Sequence, residues 1–527
     1  MDHVEAWTGE KAVILQRAMR LSNAAFADHL GMAVRTVAGW HAQPAKELVP
    51  TTQAILDTAL HRAEDSVHAR FRHMVSGTKV EAHNSERRAA FAAAEERLIS
   101  APHASAALAW LDHRMRGEPT GTARRRAATH LASLDTRALH DRTHQYGDIQ
   151  REATASALAE YYSFDQLKHG LYATQCEGAP LKTSIVTMPR WLDISLPVAS
   201  ESSRFNFLGT SSVTPQQLPA FAIDAAVGRL CEVVVRQTRL VNAPIYRLLS
   251  SRIQPGFFEA DFALTEFVEY ALTMDLLEQE MMDALVDGRA IKPGSLPLRD
   301  FYMGDTSSLL NLRQRLCAGG TLALCAFARP ARARRGSRAD YLLLIQERGG
   351  KVLNASRRLS VIPKAFHGPL VDFAEDTHIA ATLEREMEEE LFGRGDVDST
   401  ESALAHADPM HPNRLSAPMR WLTEHPDHWR MEHTGFGINC MSGNYEFATL
   451  LVIEDEKWWE EFGGEVRANW ESSGLRRYSS RDRRALTELA HDPAWSNEGL
   501  FALMQGFRRL SETGGDRVDM PNIELRL

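Results

Sequence analysis

"LEREMEEELFGR", Leu383 to Arg394, is the stretch on which the reading of the fold turns. Five of the seven residues from Glu384 to Glu390 are glutamates. Ile379, Leu383, Met387 and Leu391 recur at every fourth position, which predicts a helix over about His378 to Phe392 with one apolar ridge against a core. Glu386, Glu389 and Glu390 stand at i, i+3 and i+4 and project together from another face. Like charges at that spacing cost about 0.2–0.5 kcal/mol even in water. Carboxylates near a helix C-terminus also oppose its dipole. Arg385 is expected to offset part of this by pairing with Glu388 or Glu389. A solvated helix gains little from such a cluster, whereas a hard divalent cation would neutralise it through oxygen ligands. The plain alternative is a structural acidic helix in an unrelated α/β domain.

Working outward, "TLALCAFARP" and "DYLLLIQERGGKVLN" are strand candidates joined by the basic loop "ARARRGSRA". Beyond the helix, "GFGINC" and "NYEFATLLVIED" are further strand candidates, and "NEGLFALMQGFRRLSE" reads as a closing amphipathic helix. The run Arg385-Glu386-Met387-Glu388-Glu389-Glu390 resembles the helix half of the Nudix box, R-E-U-x-E-E-x-G-U with U aliphatic, in register over its first six places. The resemblance covers roughly Gly320 to Glu456. It implies an α/β/α domain in which Glu386, Glu389 and Glu390 hold Mg²⁺ or Mn²⁺, Glu389 and Glu390 serve as catalytic carboxylates, and Arg385 orients them. It also implies a nucleotide-like diphosphate ligand. Lys364 and His367, just before the helix, are candidates to touch its phosphate, and Glu446 is a weaker candidate for water activation. The sequence departs from the box elsewhere. Strict spacing puts its glycine at Val371 and its first glutamate at Thr377, where the nearest such residues are Gly368 and Glu375. The later box glycine arrives one place late, as Gly393. These departures shift the expectation from turnover towards ligand sensing.

A second motif lies near the N-terminus, in "LSNAAFADHLGMAVRTVAGWH". Ser22 can cap a helix beginning at Asn23, with Ala25, Phe26 and Leu30 on its apolar face. Gly31 suits the turn. Met32, Val37 and Trp40 fit the inward side of the next helix, leaving Ala33 to His41 as an exposed helix. The spaced pattern resembles the Cro/C1-type (XRE) helix-turn-helix family over roughly Val13 to Leu60. It implies that the second helix enters the major groove of double-stranded DNA. By position Arg35 and Thr36 face bases, Val34 and Ala38 can meet a thymine methyl, and Arg20 and Asn23 can reach phosphates. Ala38 and Gly39 replace the polar residues frequent there, so affinity per monomer is modest and a homodimer is expected. The alternative is a small helical domain that contacts protein.

The 527 residues are too many for a single core. The expected architecture is multidomain, α and α/β: an all-α helix-turn-helix domain (1–62), a helical connector (63–162), a mixed α/β middle region (163–315), the Nudix-like domain (316–511) and a tail (512–527). In the middle region "TSIVTMPRWLDISLPV" suggests strands, and "FALTEFVEYALTMDLLEQEMMDALVDG" reads as one long helix ended by Gly288. A net charge of −9 confines any nucleic-acid contact to a local patch. Five scattered cysteines with no CxxC pair, a polar start and no long apolar run point to a soluble cytoplasmic protein with reduced thiols and no membrane partner.

Overall fold

A computed structural model describes residues 4–115, 117–164, 167–331, 338–350, 352, 357–394 and 409–526, with the backbone alone described for 77–83. Most of the basic loop after "TLALCAFARP" lies outside the described residues. The chain is mixed α and β and folds as two compact units, Met1–Glu96 and Arg97–Leu527.

The first unit holds α1 (Gly9–Ala18), α2 (Asn23–Leu30), α3 (Val34–Ala42), α4 (Pro50–His61) and most of α5 (Asp65–Ser100). Its core joins Trp7, Phe26, Val37, Trp40 and Leu56 to Val67 and Phe71 of α5. This compact unit extends to Glu96, and its short helices bury part of their apolar faces against the start of α5. Trp7 packs on Phe71 at 5.7 Å and its indole N–H donates to Asp57 at 2.7 Å.

The second unit begins with α6 (Ala104–Arg114), α7 (Thr122–Ser133), α8 (Thr136–Asp148) and α9 (Arg151–Tyr161). These were expected as a connector; instead α6 and α7 pack on α10 (Ala220–Arg236), and α9 packs on β2 (Ala179–Thr187). One sheet of eleven strands spans the unit, in the order β13 (Ser472–Ser479), β8 (Asp340–Arg348), β7 (Gly319–Arg329), β12 (Tyr445–Ile453), β11 (Trp429–Asn439), β2, β1 (Gly170–Cys176) and β14 (Ile523–Leu525). The short strands β3 (Leu196–Pro197), β9 (Leu359–Val361) and β10 (Lys364–Phe366) pair with β11, β8 and β7 respectively. Strands from the expected middle region and tail thus complete the sheet of the expected Nudix-like domain. A second sheet has the order β4 (Ser203–Thr210), β6 (Phe257–Glu266), β5 (Pro244–Gln254). The long helix expected after it is instead the end of β6, then α11 (Phe267–Ala271) and α12 (Leu276–Val286). The β-branched and aromatic start of that stretch pairs with β5. The short helices α13 (Pro297–Met303) and α14 (Thr306–Leu310) lead into β7.

Alternation along β12 assigns the two faces of the large sheet. Ala448, Leu450 and Val452 join Leu500, Phe501, Leu503, Met504 and Phe507 of the closing helix in one core. Tyr445 and Phe447 point the other way, onto Phe262 and Phe258 of the small sheet. The closing helix, Asn497–Thr513, is buried over Glu498–Phe507 and turns Arg508, Arg509, Ser511 and Glu512 outward at its end. Gly320 lets β10 approach β7: a Cβ there would stand 1.8 Å from the Ala365 carbonyl oxygen. All five cysteines are buried and free of disulfides. Among the described residues no helix is long and apolar enough to cross a membrane.

Candidate functional site

In the first unit, Ser22 Oγ accepts from Ala25 N at 3.2 Å and starts α2, and Gly31 ends it at φ +67°. Phe26, Ala27 and Leu30 form its buried side; Ala25, expected there, is exposed. Phe26 meets Trp40 edge-on at 6.3 Å, and Val37 is buried beside them. The opposite side of α3 therefore exposes Val34, Arg35, Ala38 and Gly39, with Thr36 half-buried. Arg20 is exposed at a left-handed turn, φ +59°. Asn23 is used within the unit: its Oδ1 accepts from Gln16 Nε2 at 2.7 Å, while Gln16 Oε1 lies 3.0 Å from His41 Nε2. Gln16 thus ties the start of α2 to the end of α3.

In the second unit the acidic stretch forms α15 (Ile379–Glu386) and continues as a π-helical turn, Met387–Leu391, where Phe392 N donates to Met387 O at 3.0 Å. The ridge Ile379, Leu383, Met387 and Leu391 is fully buried. So are the carboxylates: Glu386 and Glu389 are 6% exposed, Glu388 and Glu390 0%. Glu390 Oε2 accepts from the backbone N–H of Lys364 at 2.8 Å. Its Oε1 has no hydrogen-bond partner and lies 3.6 Å from Arg348 Nη1, which itself donates to Glu471 at 2.9 Å. Arg385 pairs with Glu386 at 3.1 Å and donates to the Gly368 carbonyl at 3.3 Å. Of the two partners expected for Arg385, Glu388 and Glu389, Glu388 accepts from Ser416 N and Oγ at 2.9 and 3.0 Å.

Burial pushes the Glu386 carboxyl well above the ordinary range; Arg385 opposes the shift, and Glu389, Glu390 and Glu471 add repulsion. Glu390 is pushed up to about 8, first by burial and then by Glu471, with Arg348 opposing. Glu386, Glu389, Glu390 and Glu471 thus stand against the guanidiniums of Arg385 and Arg348. Arg348 and Glu471 carry no signal in the local sequence. They arrive through strand register, since Arg348 ends β8 opposite Ser472 of β13.

Of the other candidates, only the backbone of Lys364 reaches this set. His367 is fully buried, with Nδ1 3.1 Å from the Tyr445 hydroxyl and its ring against Tyr246 and Phe262. Burial holds its pKa down at about 3. It is a neutral core imidazole, not a cation in a loop. Lys364 sends its ammonium to Glu498 of the closing helix. Glu446 shares the β12 face of Ala448, and burial raises its pKa well above normal, with Glu498 adding to the rise and Lys364 opposing it. Glu278, half-buried by solvent exposure and pushed up to about 7, completes this second acidic set.

The all-oxygen donors of the first set, its surplus carboxylates and the unpartnered Glu390 Oε1 suit a hard divalent cation in chemistry. In their present rotamers no group of three or more His, Cys, Asp or Glu side chains converges as a metal-ligating set among the described residues. Arg385 and the Lys364 N–H hold two of the carboxylates instead. A scan against protein-family models finds no match for this chain, and a search of curated proteins finds none.

Proposed function

We propose that the chain is a DNA-binding transcriptional regulator that senses a nucleotide or related phosphate metabolite at α15. The observation that carries the reading is the exposed run Val34, Arg35 and Ala38 on α3, backed by buried Val37 and Trp40. A helix held from behind in this way can lie in a major groove with Arg35 at base edges, Val34 and Ala38 against thymine methyls, and Thr36 at the margin. Arg20 serves the phosphate backbone, and a homodimer would double this small contact. Asn23 contributes through its amide nitrogen or by bracing Gln16. Ligand would change DNA affinity only by binding two states of the protein unequally. Titrating labelled genomic fragments with and without a panel of phosphate metabolites tests this coupling: a shift with at least one supports it, and identical affinity throughout opposes it.

A second reading, a Mg²⁺-dependent hydrolase of nucleoside diphosphate-linked substrates, is favoured by the surplus negative charge on α15. Glu386, Glu389 and Glu390 would hold Mg²⁺ or Mn²⁺, which when bound polarises a phosphoryl oxygen and acidifies a water. Arg385 keeps Glu386 oriented, the Lys364 N–H fixes Glu390, and Arg348 balances charge behind them. Turnover that needs Mg²⁺ and disappears in Glu389→Gln and Glu390→Gln would favour this reading. Mg²⁺-dependent thermal stabilisation without turnover would return the site to sensing.

A further inference from the structure

A cleft of about 750 Å³ opens in the second unit and shares no residue with either acidic set. It lies between the half of β5 beyond its bulge, the loop after α14 and the turn Pro189–Trp191. Its size is that of small-molecule sites. Trp191, Leu249, Leu310, Leu312 and Ile438 give it apolar walls. The indole is a fixed wall, held edge-on by Phe436 at 4.9 Å and by His169 at 5.1 Å.

The polar part of the lining is asymmetric. Ser251, Thr306 and Asn311 supply hydroxyl and amide groups, and Arg313 supplies a cation. Among the described residues no aspartate or glutamate lines the cleft, although the chain carries a net charge of −9. The Arg313 side chain is 60% exposed, and its ion-pair partner, Asp261, is 3.4 Å away. Asp261 also accepts from Ser250 at 2.6 Å and Asn206 at 3.0 Å, so its charge is shared among three donors. A guanidinium held this loosely at the rim of an apolar cleft can turn to an incoming anion. Burial and Arg190 depress the pKa of His169, which leaves Arg313 as the positive group of the lining at neutral pH.

We propose that this cleft binds a small amphipathic anion. An aromatic or alkyl body would lie against Trp191 and Leu249, and a carboxylate or sulfonate head would meet Arg313, with the Ser251 and Asn311 side chains completing its hydrogen bonds. The proposal does not depend on the reading of α15.

The test is a fluorescence titration of the full chain with 8-anilinonaphthalene-1-sulfonate, followed by displacement with decanoate and with decanol. Saturable binding is expected, with decanoate displacing the dye at lower concentration than decanol. Arg313→Glu, at a side chain 60% exposed, should weaken the dye by about five- to tenfold. The same change should abolish the advantage of decanoate over decanol. Leu310→Trp, which narrows the cleft at its apolar wall, should weaken saturable binding. Dye affinity unchanged in Arg313→Glu, or no saturable binding by the wild type, overturns the proposal whatever Leu310→Trp does.

Discussion

On α3 the polar side of the helix is left in water; on α15 it is folded inside. Arg35 stands exposed on the helix that buries Val37 and Trp40. Glu390 is fully buried, and its surroundings come from β8, β10 and the residue before β13. An exposed contact surface asks little of the fold that carries it. A buried set of carboxylates makes the fold bear its charge, so substitutions at the two helices should separate cleanly into effects on affinity and effects on stability.

The sharpest break should come from the frame around α15. Gly320→Ala would drive a methyl into the Ala365 carbonyl and is expected to cost about 3 kcal/mol or more in urea unfolding. Arg35→Ala should change stability by less than about 0.5 kcal/mol.

Next comes charge balance. Arg348→Met leaves Glu390 and Glu471 without their shared guanidinium and is expected to cost about 3 kcal/mol. Measured above about pH 8, adding Glu390→Gln should restore at least about 1 kcal/mol of that loss, because there the Glu390 carboxyl must be either buried ionised or protonated at a cost. No recovery in the double variant would mean that Arg348 acts through packing alone.

A smaller effect concerns pH. Burial holds His433 down at about 3, against about 6.5 in an unfolded chain. Below about pH 6.5 the unfolded chain therefore takes up a proton that the folded one refuses, and stability falls as pH falls towards 3. Between pH 7.5 and pH 5, wild type should lose about 2 kcal/mol more than His433→Phe. Raised carboxyls such as Glu446 work in the opposite direction, gaining stability as pH falls, so the difference between the two proteins is the quantity to measure.

The smallest change is expected at the DNA surface. Arg20→Ala, which would remove the proposed phosphate contact, should weaken binding by about threefold for every sequence and flatten the salt dependence by about one unit. A sequence-selective loss would instead assign Arg20 to base reading.

How far the sequence carried follows the same division. The caps, turn and buried side of α2 and α3 were legible from Ser22, Gly31, Phe26 and Trp40, because spacing along one helix decides them. The ridge of α15 was legible for the same reason. The partners of its carboxylates were not: Arg348 and Glu471 meet them through strand register. His367 read as a loop residue, and only the packing of Tyr246, Phe262 and Tyr445 around it makes it a neutral core group. Nor was the make-up of the large sheet legible, since β1, β2 and β14 come from separate segments and close it together with β7, β8, β11, β12 and β13.

The central claim is that the exposed side of α3 reads DNA, and a gel shift with fragments of the protein's own genome tests it directly. The account predicts that wild type retards a subset of fragments and that Arg35→Ala weakens those by about tenfold or more, with folding intact. If wild type retards no fragment, or if Arg35→Ala binds the same fragments equally well, the account is contradicted.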